Sequence, residues 1–122
     1  MIRCPQIAVL FLVLLAHHIT VEASACKALN EVASKTGVFI PGNNAGRVVI
    51  GKGRLQFYSA PSYECKMQGV FVIEDQTVDA YTEYKGFTSV VYLGSKKLSP
   101  VLGWVRSDRL RPNGLGIALS QK

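Results

Sequence analysis

The chain has 122 residues, 48% of them hydrophobic, and carries 14 Lys and Arg against 8 Asp and Glu, a formal net charge of +6. That length supports one domain with a modest core. Its two histidines, His17 and His18, sit together near the N-terminus; the rest of the chain therefore holds no His to activate a Ser or Cys nucleophile or to join a cysteine in a zinc site.

Residues 1–25 have the three parts of a secretory signal: Arg3 as a positive start, an apolar run over 7–16, and Ala23-Ser24-Ala25 as a small-x-small cleavage pattern. The run is shorter than the roughly 20 apolar residues that span a bilayer, so no transmembrane helix is expected after cleavage. This reading makes the protein periplasmic or secreted, starting at Cys26. Cleavage removes Arg3 and Glu22 together, which leaves the balance at +6. In an exported protein such a charge favours anionic envelope polymers or an acidic protein partner over nucleic acid, and acts mainly on association rate.

Cys26 and Cys65 remain after cleavage. An oxidising compartment allows one disulfide between them, worth roughly 4 kcal/mol at most through loop closure. A second possibility stays open at this point. A cysteine directly after Ala23-Ser24-Ala25 is also where bacterial lipoprotein signals place theirs, and lipid anchoring through Cys26 would leave Cys65 free.

Over 26–35, Ala28, Leu29, Val32 and Ala33 fall at helical spacing with Glu31 and Lys35 four apart, which predicts one or two helical turns ended by Thr36-Gly37. A short apolar run over 37–40 leads into the turn-rich Pro41-Gly42-Asn43-Asn44-Ala45-Gly46. Residues 47–50 read as a strand and Gly51-Lys52-Gly53 as a turn. The alternation of Leu55 and Phe57 against Gln56 and Tyr58 predicts a half-buried strand stopped by Ala60-Pro61. The excursion over 62–76 is long for a plain loop, and Val70-Phe71-Val72-Ile73 predicts that it folds back as an irregular hairpin. Residues 77–84 and 87–93 alternate as strands, and Lys85-Gly86 between them suits a tight hairpin. Lys96 and Lys97 fall in a polar loop, 101–105 is the next strand, Ser107-Asp108-Arg109 suits one 3₁₀ turn, and Leu110 returns to the core. Residues 112–122 read as a loose tail.

From Arg54 to Leu110 the pattern resembles the bacterial SH3-like domain family. Leu55-Gln56-Phe57-Tyr58-Ser59-Ala60-Pro61 is similar to the family's opening strand, Tyr84-Lys85-Gly86-Phe87-Thr88-Ser89-Val90 to its aromatic-strand signature, and Gly103-Trp104-Val105 followed by Leu110 to its closing strand and turn. The resemblance implies an all-β fold, a small five-stranded SH3-like barrel over 53–111. An N-terminal extension over 26–52, with a short helix or an extra strand, precedes it, and a C-terminal tail over 112–122 follows.

The family's peptide groove implies candidate ligand-binding residues here. Phe87 falls at its base, and Arg106 and Arg109 fall where eukaryotic relatives carry Pro and Tyr. Two guanidinium groups in place of apolar platforms suit a carboxylate-bearing ligand better than a polyproline helix. Tyr58 and Tyr81 add rigid aromatic area with a polar tip. Trp104, next to inward-pointing Val105, should face outward and be covered by the first loop or by the segment before Arg54.

Glu74-Asp75 and the pair Asp79 and Glu83 are the acidic candidates for glycosidase chemistry, but a wet strand face offers no cleft to desolvate them. The expectation is therefore a non-enzymatic binding module of the bacterial envelope, without cofactor or metal, holding a peptide, a cell-wall component or a protein. The alternative is an inhibitor or immunity protein that blocks a periplasmic toxin or cell-wall hydrolase.

Overall fold

The computed structural model describes residues 21–94 and 99–117. Most of the expected signal segment, the Lys96-Lys97 stretch and residues 118–122 lie outside these. Residues 21–36 are helical (α1), a longer helix than the one expected over 26–35. It ends where Gly37 N–H donates to Ala33 O at 2.9 Å. A side chain at Gly37 would lie 2.5 Å from Thr82 Cγ2 and 2.6 Å from Glu83 O, so only glycine lets the chain turn this close to its neighbouring strand. No helix among the described residues is long and apolar enough to cross a membrane.

Eight strands follow: β1 (Val38–Phe39), β2 (Gly46–Val49), β3 (Leu55–Tyr58), β4 (Lys66–Val72), β5 (Thr77–Tyr84), β6 (Phe87–Tyr92), β7 (Val101–Arg106) and β8 (Leu110–Pro112). They form one antiparallel sheet in the order β4-β3-β7-β6-β5-β2-β8, with β1 also on β5. The protein is thus mostly β with a helical N-terminal element. Among the described residues β3 to β7 fall in the span 53–111 expected to hold five strands, but β1, β2 and β8 join the same sheet, whose path runs from β4 to β8 without closing into the expected barrel. β2, in the segment read as an extension, lies between β5 and β8 and buries Val49 in the core.

Several elements form for reasons visible in the residues. Lys85 and Gly86 both take positive φ, 46° and 86°, the backbone of a two-residue hairpin whose twist matches its strands; Tyr84 and Phe87 pair across it. The 62–76 excursion does fold back: β4 pairs with β3 through Leu55 with Val72 and Gln56 with Phe71, then slips register before Tyr58 meets Lys66. Gln56 Nε2 donates to the carbonyls of Phe57, Met67 and Val70 at 2.8, 2.6 and 3.1 Å, filling the gap the slip leaves in the ladder. Ser107–Arg109 forms the expected 3₁₀ turn.

The strand-period alternation puts Val49, Leu55, Phe57, Val72, Val78, Ala80, Val90 and Val105 into one core. Tyr58, Phe87 and Trp104 face the other way and pack with Ala33 of α1 into a second cluster, joined by Tyr84. The tail differs from the loose segment expected. Asn113 N–H donates to Gly46 O (3.2 Å), Gly46 N–H to Leu115 O (2.8 Å) and Ile117 N–H to Gly42 O (2.9 Å), which ties residues 113–117 to the first residue of β2 and to the turn before it.

A candidate binding surface

Three elements that are distant in sequence deliver three rings to one place. β3 ends on Tyr58, the 3₁₀ turn Tyr63–Cys65 begins on Tyr63, and β6 begins on Phe87. Tyr63 meets Tyr58 at 5.6 Å between centroids and Phe87 at 5.3 Å, and Tyr58 meets Phe87 at 5.5 Å, all edge to face. That geometry sets the positive edge of one ring against the negative face of the next. Tyr58 and Phe87 are each 6% exposed, whereas Tyr63 is 64% exposed. The inner two rings thus form a floor, and the third stands on it facing solvent.

The loop that carries Tyr63 is braced from both sides. Ser59 N–H donates to Cys65 O at 2.8 Å, Cys65 N–H donates to Ser62 O at 3.0 Å, and the Ser62 hydroxyl accepts from Glu64 N–H at 3.3 Å. Ala60 and Pro61 are buried beneath it. Cys65 is joined to Cys26 of α1 by a disulfide, with Cα atoms 5.8 Å apart. This bond consumes the Cys26 sulfur, so it decides between the two sequence alternatives against a lipid at that atom.

Charged groups stand beside the rings, among them Glu64, which follows Tyr63, and Lys66, which pairs across from Tyr58. Arg106, at the end of β7, is paired through its guanidinium with the Asp108 carboxylate, and both side chains remain largely in solvent. The hydrogen bond and charge of Asp108 raise the Arg106 pKa further above its usual value. Burial raises the Tyr58 phenol above its ordinary range, Tyr63 adds to the shift, and Arg106 opposes it. Lys85 lies over the Tyr84 ring at 5.3 Å on the neighbouring hairpin.

The six residues expected to contact ligand separate into groups. Tyr58 and Phe87 pack under Tyr63, and Arg106 is the cross-strand partner of Phe87. Trp104 is only 1% exposed; it faces away from the main core and is covered by α1, with its indole N–H donating to Asn30 Oδ1 at 2.7 Å. Arg109 turns to the backbone: its guanidinium donates to Ile50 O (2.5 Å), Gly51 O (3.1 Å) and Gly53 O (3.0 Å), holding the β2–β3 loop. Tyr81 lies elsewhere, at the register shift in β5, where with Leu102 and Ser89 it lines a groove of about 340 Å³ beside α1. Tyr63 was not singled out from the sequence as a contact, although its place two residues before Cys65 was the available signal. No protein-family model, curated protein or solved structure matches the chain.

Proposed function

We propose that the protein is an exported, non-enzymatic binding module of the bacterial envelope, periplasmic or secreted, built on an SH3-like barrel. It grips a peptide, cell-wall component or protein at the surface made by Tyr63, Tyr58, Phe87 and Arg106. The observation that carries this reading is the exposed Tyr63 ring, held at fixed geometry on two buried rings by a braced, disulfide-linked loop. A large exposed aromatic on a rigid support loses little entropy on binding and is the kind of residue that dominates binding energy. Arg106 adds a guanidinium for a carboxylate-bearing ligand, provided that the ligand displaces Asp108. The hairpin β5–β6, the strand β7, the following 3₁₀ turn and β8 come in the order that the sequence resemblance implies. The disulfide and the lack of a helix long enough to cross a membrane among the described residues are compatible with an extracellular location.

A second reading is favoured by the same braced loop. A pre-organised turn with an aromatic at its tip also suits the plug of an inhibitor or immunity protein entering the cleft of an envelope hydrolase. Sedimentation of the purified chain from residue 26 with isolated cell-wall polymer, beside affinity capture from envelope extract, tests both. Retention on the polymer supports a wall-binding module, and capture of one hydrolase with loss of its activity supports the inhibitor. Turnover of cell-wall substrate by the purified chain overturns both.

A further inference from the structure

α1 contacts the sheet along an unusual seam. Cys26, Asn30, Ala33 and Gly37 fall at spacings of four, three and four, one face of a helix continued into its stop. Along that face one residue makes a covalent bond to Cys65, one accepts the Trp104 indole hydrogen bond, one packs a methyl group into the aromatic cluster, and one has no side chain. Ala33 is the only residue of 21–36 that is fully buried, while Val32 is 50% exposed. A helix of this length does not persist alone in water, and most helices in proteins owe their stability to an apolar face buried on a neighbour. Here that face is a single methyl group flanked by the half-buried Leu29, so the covalent bond supplies what packing does not.

What α1 covers is aromatic. Trp104 and Tyr58 pair across β7 and β3, and Tyr58 with Phe87 forms the floor under Tyr63. In the chain from residue 26 the disulfide lies at the N-terminal end of α1, in a cleft bordered by Lys27, Asn30, Ser59, Glu64 and Lys66.

We propose that Cys26–Cys65 is a redox latch on the candidate binding surface: its reduction releases α1 from the sheet, uncovering Trp104 and Tyr58 and loosening the Tyr63 loop, while the sheet stays folded. In the chemical step a dithiol reductant attacks one sulfur of the bond as its thiolate and then closes its own disulfide. Two electrons and two protons pass to the protein, leaving Cys26 and Cys65 as thiols. The role as a regulator of ligand binding rests on the binding function proposed above; the release of α1 does not, since it is read without a ligand.

Trp104 is the only tryptophan of the chain, so its fluorescence reports the cover directly. The expected result, on titrating the protein with dithiothreitol until two thiols are counted, is a red shift of its emission and a several-fold rise in quenching by acrylamide. Far-ultraviolet dichroism should keep its strand signal and lose its helical part. The double variant Cys26→Ser with Cys65→Ser should show the open spectrum without reductant. Unshifted emission in the fully reduced protein or in the double variant overturns the proposal. So does loss of the strand signal together with the shift, because the bond is then a staple of the whole fold and not a latch on α1.

Discussion

The indole N–H of Trp104 donates to Oδ1 of Asn30 at 2.7 Å, across 74 positions of sequence. It is a polar contact between α1 and the sheet, and it satisfies a donor that is otherwise shut off from water.

Replacing Asn30 with Leu keeps the helix and removes the acceptor. The Trp104 N–H is then buried without a partner, a loss of about 1–3 kcal/mol. Urea unfolding of Asn30→Leu should show an unchanged slope and a midpoint lowered by that loss divided by the slope.

Arg109 is expected to behave as a structural residue. Its three donors reach three carbonyls of the β2–β3 loop in different directions, which a planar fork does and an ammonium does not. Arg109→Lys should therefore cost roughly 1.5–3 kcal/mol, the range for hydrogen bonds to charged groups, measurable as a fall in thermal midpoint. Ligand affinity, compared at a temperature where both proteins are folded, should be unchanged.

The pH dependence of stability should carry the mark of Tyr58. Its folded pKa is raised above the value of about 10 that an unfolded tyrosine has, so the fold favours the neutral phenol. The stabilisation is complete below that unfolded value and is lost as pH rises through the folded one. Chemical denaturation at a series of alkaline pH values should show stability falling from about pH 10 upward, and Tyr58→Phe should remove that part of the slope.

These residues also mark what was legible in the sequence. The hairpin β5–β6 was, because alternation gives its strands and Lys85-Gly86 gives the only backbone that joins them in two residues. The 3₁₀ turn at 107–109 and the disulfide were legible from local spacing and from cysteine count. The eight-stranded sheet was not, since β1 and β8 are two and three residues long, too short to show a period, and take their strand geometry from β5 and β2. The pairing of residues 113–117 runs through backbone groups, which composition does not display. Tyr63 and Asn30 escaped notice because their importance comes from what tertiary packing places against them. Arg109 was read as a rim charge, but an arginine that binds carbonyls has the same sequence signature as one that binds a ligand.

Tyr63, standing on Tyr58 and Phe87, is expected to carry binding and not folding. The most direct measurement compares equilibrium binding of the wild-type chain from residue 26 and of Tyr63→Ala to isolated cell-wall polymer and to the partner captured from envelope extract. Both proteins should unfold at nearly the same temperature, because Tyr63 is mostly exposed, and the variant should bind at least about tenfold more weakly, the effect of a loss above 1.4 kcal/mol at a dominant contact. Equal binding by the folded variant, or no binding by either protein to polymer or extract, would contradict the account.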